Sequence, residues 1–134
     1  MNVIDTALYT TLSGGTALTS LLATTSSIYH IRAPNVAGYP YVVFSLQAGG
    51  PENINPSDLG NYVYFVRAYS AASAQSAGAI HAQIRALLHK KTLTITGYTN
   101  LRTVLESELE SADELSNLTP VFMSGGLYRI QIDT

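Results

Sequence analysis

The residues best placed to do chemistry are three glutamates spaced by two, Glu106, Glu108 and Glu110, in LRTVLESELE at 101–110. On a strand that spacing sets all three on one side, because side chains alternate between the faces of a sheet. Such a row can hold a hard cation, divide acid and base roles, stand as a solvated face, or repel another polyanion. The histidines offer less. His30, His81 and His89 lack the spacing of a metal site, and no carboxylate lies three or four residues from any of them. His81 and His89 are expected on the solvated side or at the end of a helix. There is no cysteine, which removes disulfides and thiolate metal sites. No G-x-S-x-G elbow, P-loop or dinucleotide fingerprint occurs. The glycine pairs at 14–15, 49–50 and 125–126 read as helix stop, loop entry and strand entry. No catalytic residue, cofactor or metal is expected.

The elements that position these side chains are organised around NYVYFVRAYSAASAQSAGAIHAQIRALL at 61–88. Tyr62, Tyr64, Val66 and Ala68 share one strand face, and Val63, Phe65, Arg67 and Tyr69 the other. Large β-formers on both faces predict a central strand. From about residue 71 the period becomes helical: Ala77, Ile80, Ile84, Leu87 and Leu88 form one stripe, with Ser70 or Ser73 as N-cap and Lys90–Lys91 at the C-terminus. A helix with one apolar stripe needs a sheet to lie on.

Around this unit the sequence predicts a helix at 3–12, stopped by Gly14 and Gly15, a short second piece at 17–22, and strands at 28–32, 40–48 and 93–96. Residues 101–110 fit helical spacing through Leu101, Val104, Leu105 and Leu109. They also fit an alternation that is nearly complete, and the strand is favoured. Residues 127–133 close the chain as a strand with Tyr128, Ile130 and Ile132 inward. The resulting order is α-β-β-β-α-β-β-β, an α+β fold with two main helices on a mostly antiparallel sheet. Two segments break the pattern. GGPENINPSDLG at 49–60 reads as a loop, dense in proline, glycine and turn formers, and residues 111–120 as a second, polar loop. A long loop in so small a domain has a task. Pro51, Glu52, Asn53, Ile54, Asn55, Pro56 and Asp58 are therefore candidates for protein contact.

The 134 residues suit a single domain, 1–134. A net charge of −2 with only seven Lys and Arg argues against a nucleic-acid-binding surface. Charged residues make up 12% of the chain, about half the usual share, which is expected when much of the exterior lies against other protein. Nine tyrosines against three phenylalanines and no tryptophan suit cross-strand packing as well as protein contact. The first ten residues contain an acid and no basic region, unlike an export signal, and no apolar run is long enough to cross a bilayer. A soluble protein with no membrane partner is expected.

The helix up to Leu12, IYHIRAPNVAGYPYVVFSL at 28–46, GGPENIN at 49–55, YVYFVRAYSAASAQSAGAIHAQIRALL at 62–88 and YRIQID at 128–133 occur in a characteristic order. In that order and spacing the chain resembles the tail terminator (tail completion, or tail-to-head joining) family of long-tailed bacteriophages and prophages. The resemblance implies a structural virion protein and no enzyme. It implies self-association into a ring, typically a hexamer, on the last ring of the tail tube. The ring would end tube growth and meet a head connector or stopper protein, and DNA would pass through it without specific binding. Its location would be the virion tail, assembled in the host bacterial cytoplasm. On this reading Glu106, Glu108 and Glu110 are candidates for lining the channel. The alternatives are another neck or minor tail protein, of head-completion or stopper type, or a small α+β ligand-binding domain or enzyme built on the glutamate row or His30.

Overall fold

The computed structural model describes residues 2–34, 36–52, 59–114 and 120–134, with 113 and 114 by backbone alone. Its centre is the tyrosine-rich strand. This strand, β3 (Gly60–Ser70), follows β1 (Ile28–His30) and β2 (Tyr41–Pro51) and precedes β4 (Thr94–Ile95), β5 (Tyr98–Glu114) and β6 (Pro120–Asp133). The strands form one sheet in the order β1-β2-β3-β6-β5-β4, antiparallel throughout except for the short β1·β2 pair. β3 therefore has a neighbour on both sides, as its two large-residue faces require.

Three helices pack against one face of this sheet. In α1 (Asn2–Ser13) Ile4, Ala7, Leu8 and Leu12 are buried, a stripe at helical spacing. It stops at Gly14, whose N–H reaches the Thr10 carbonyl at 3.0 Å, and the one-turn α2 (Thr16–Thr19) follows. In α3 (Ala74–Leu88) Ala77, Ile80, His81, Ile84 and Leu88 face the sheet. Of the two candidate N-caps it is Ser73 that caps α3, its Oγ accepting from the Ser76 N–H at 3.0 Å, while Ser70 closes the preceding turn onto the Ala72 N–H. The core lies between α1, α3 and the inward side chains Tyr62, Tyr64, Val66, Tyr128, Ile130 and Ile132.

The element order is the expected one, but three strands run further than their sequences advertise. β2 continues through Gly49, Gly50 and Pro51, which pair with Tyr62, Asn61 and Gly60, so both ends of the 49–60 loop belong to the ladder. Gly49 is held at φ +117 and a Cβ there would stand 2.2 Å from the Asn61 carbonyl oxygen, so no other residue fits. β5 runs on through 111–114 and β6 starts at 120, within the expected loop 111–120; paired strands satisfy one another's backbone groups whatever the propensity of the polar residues in them. Gly125 and Gly126 sit inside β6, not at its entry. β5 also begins earlier than the expected 101, at Tyr98. Asn53, Ile54, Asn55, Pro56 and Asp58 lie outside the described residues, as does 115–119.

Candidate interaction surfaces

The glutamate row does not stay on one side. β5 carries a bulge between Leu105, paired with Tyr128, and Ser107, paired with Leu127. One extra residue shifts the alternation by one, so side chains beyond it exchange faces. Glu106, in the bulge, turns to the face away from the helices. There its carboxylate accepts from Arg129 Nε and, at 3.1 Å, from Arg129 Nη2. That hydrogen bonding holds Glu106 below the usual carboxylate range and Arg129 above its own. Arg129 Nη1 also donates to Asn61 Oδ1 at 2.7 Å, and Asn61 Nδ2 donates to Glu52 Oε1 at 2.9 Å. A polar chain thus crosses four strands, from Glu106 on β5 to Glu52 just past β2. Of the candidate loop residues that are described, Glu52 makes this side-chain bond, and Pro51 is exposed at the end of β2.

Glu108 and Glu110 point to the helix side. Glu108 Oε1 lies 3.1 Å from His81 Nε2, a hydrogen bond in which the imidazole N–H donates to the carboxylate, tying α3 to β5. His81 is only 7% exposed, so its expected place on the solvated side of the helix is corrected. A glycine within a strand marks a close approach, but which helix residue it approaches is set by the strand pairing. A Cβ on Gly126 would stand 3.2 Å from His81 Cε1 and 2.4 Å from Leu105 Cδ1, so the glycine makes room for the imidazole. Gly125 does the same on the other face, where a Cβ would come within 2.7 Å of Arg67 Cβ and of the Val66 oxygen. His89 sits at the end of α3, as expected, its Nδ1 accepting from the Leu105 N–H at 3.0 Å.

Between α3 and β5–β6 runs a groove of about 670 Å³, walled by the small residues Gly78, Ala82 and Ala86 and by His81, Arg85, His89, Lys91, Glu108 and Glu110. His81 Nδ1 and the Tyr128 hydroxyl are buried with no hydrogen-bond partner among the described residues. His30 is elsewhere, on β1, 3.4 Å from Asp5 and tilted over the Phe44 ring, so it and the glutamates do not converge. Among the described residues no three acidic or histidine side chains gather as metal ligands.

The other face of the sheet has no helix on it among the described residues. Tyr41 packs against Tyr29, Tyr39 and Tyr69, with ring centroids 5.8, 5.0 and 5.3 Å away. Arg67 lies 4.7 Å over the Phe65 ring, and its Nε and Nη1 donate to the Tyr69 hydroxyl and to Ser45 Oγ. These side chains are half-buried and in contact with one another. Large rings with polar tips, fixed by mutual contact, are the composition of a protein-contact surface.

No curated protein matches the sequence. Among solved structures, a chain from the virion of a native gene transfer agent particle has a similar fold. It aligns with a TM-score of 0.77 at 14% identity, covering 98% of this chain and 95% of that one. A family model described as "Tail completion protein gp17" matches residues 6–119. By that match the chain belongs to the tail completion protein gp17 family, a family of structural proteins and not of enzymes.

Proposed function

We propose that the protein completes the tail by capping its tube with a closed ring of identical copies, most simply six, which ends tube growth and forms the seat for the head connector. The observation that carries this reading is the sheet face that bears no helix among the described residues, a platform of tyrosines and arginines in a chain with only 12% charged residues. Such a surface is finished by contact with protein. Cyclic closure explains how identical sticky copies stop at a finite size. The loop between β2 and β3 contacts the tube or connector, with Glu52 anchored at its base.

The test is electron microscopy of the protein mixed with purified tail tubes. Ring-shaped density at one tube end, with tube growth halted, is expected; tubes that lengthen as before with no terminal density overturn the reading. Because Pro51 closes the ladder against Gly60, the informative deletion is Asn53–Ser57. It should leave a folded protein and abolish head joining, read as virion yield. An unchanged yield would remove the loop from the contact.

A further inference from the structure

We propose that neighbouring copies in this ring join edge to edge, the free length of β2 in one copy adding to the free length of β5 in the next. The proposal rests on the ring reading. It starts from two strands that are each covered over only part of their length. β1 pairs with β2 at Val42, Val43 and Phe44, and the Ile31 N–H reaches the Phe44 carbonyl at 2.8 Å. There the chain turns away, Ile31 standing at φ 69. From Ser45 to Pro51 nothing among the described residues pairs with the outer side of β2. At the opposite end of the sheet β4 covers β5 only at Tyr98 and Thr99. The end of α3 then takes over, the Lys90 N–H donating to the Thr103 carbonyl and the Leu105 N–H to His89. From Ser107 onward the outer side of β5 is again without a partner among the described residues. Each free length is a row of backbone donors and acceptors that another strand satisfies.

Strand direction makes these two edges match. β2, β3, β6 and β5 alternate in direction, so β2 and β5 run opposite ways at opposite ends of the sheet. Rotation about an axis along the strands therefore sets β2 of one copy antiparallel to β5 of its neighbour, and repeating the step closes a ring. Charge then chooses among the possible pairings. Joining β5 to β5 would place the row Glu108 and Glu110 against its own copy. Residues 45–51 carry no charge, and joining them to β5 leaves neither free length of β2 or β5 bare in any copy. Joining β2 to β2 would stop at a dimer with both β5 edges bare. In the antiparallel β2·β5 joint, Leu46 and Leu109, 40% and 41% exposed, lie on the two edges and become covered.

Hydrogen exchange of the full chain, free and assembled on tail tubes, tests the joint. Amides in 45–50 and in 107–112 should both gain protection of about tenfold or more on assembly. Protection of only one segment means an isologous pairing and overturns the proposal, as does a ring in which neither gains. If no ring forms with or without tubes, the ring reading fails and the joint with it. Leu46 shares the helix-side face with Glu108 and Glu110, so Leu46→Asp should weaken assembly about tenfold while Leu46→Lys does not. Equal effects of the two substitutions, with the circular dichroism of the monomer unchanged, would show that the acids do not face this edge.

Discussion

Tyr64 shows how much one residue carries. It is fully buried under α1, and its hydroxyl donates to Asp5 Oδ1 at 2.8 Å, so one side chain both fills the core and ties helix to sheet. Burial pushes its phenol well above the ordinary value of 10.0, and the Asp5 hydrogen bond adds to the shift; burial also raises Tyr128, and takes Tyr41 up to about 12. A raised folded-state pKa contributes stability that is complete below pH 10 and lost as pH rises through the folded values. Unfolding should therefore set in on the alkaline side, from about pH 10 upward. Tyr64→Phe should cost about 1–2 kcal/mol at neutral pH and make the alkaline decline shallower. Urea titrations between pH 7 and 11 measure both; a decline as steep as in the parent protein would refute the assignment.

At the level of elements, the glycine pair in β6 and the bulge in β5 decide which groups meet. Gly125 is pressed against backbone, with the Val66 oxygen 2.7 Å and Arg67 Cα 2.8 Å from a would-be Cβ. The closest atom over Gly126 is the end of the Leu105 side chain, which can rotate, although the Ser107 oxygen at 3.0 Å limits the space. Gly125→Ala should thus be the more damaging, by about 1–3 kcal/mol, because strands cannot part without losing ladder hydrogen bonds. Thermal melts of the two variants give the order directly, and equal losses would contradict it. The bulge has the wider consequence. It gives Glu106 to Arg129 and the open face, and Glu108 to His81 and the helix layer, so a single extra residue divides an acidic row into two sites.

For the whole molecule that division turns the channel question into an experiment. If DNA passes through the hole of the proposed ring, only one of the two acidic sets can meet it, whichever face of the sheet lines the hole. Glu106→Lys and the pair Glu108→Lys with Glu110→Lys should therefore differ: one set slows DNA passage and the other leaves it unchanged. Ejection kinetics from assembled virions read this out. Two sets with equal effect, or none, would mean that these acids do not line the channel. Glu106→Lys also breaks the pair with Arg129, so the folded fraction is measured beside it.

The sequence by itself determined what local period and composition can encode. The alternation of Tyr62, Tyr64, Val66 and Ala68 and the switch to helical spacing at Ala77, Ile80 and Ile84 set the central strand, its helix and the buried face of each. The segment order indicated the family, and the residues of the α+β core follow from the same periods. Only the tertiary structure decided the reach of β2, β5 and β6 through segments that look like loops, because cross-strand partners supply their hydrogen bonds. It alone buried His81, since the space beside the imidazole comes from a glycine on another strand. It split the glutamates, because a bulge is a property of two strands in register and is not written in either one.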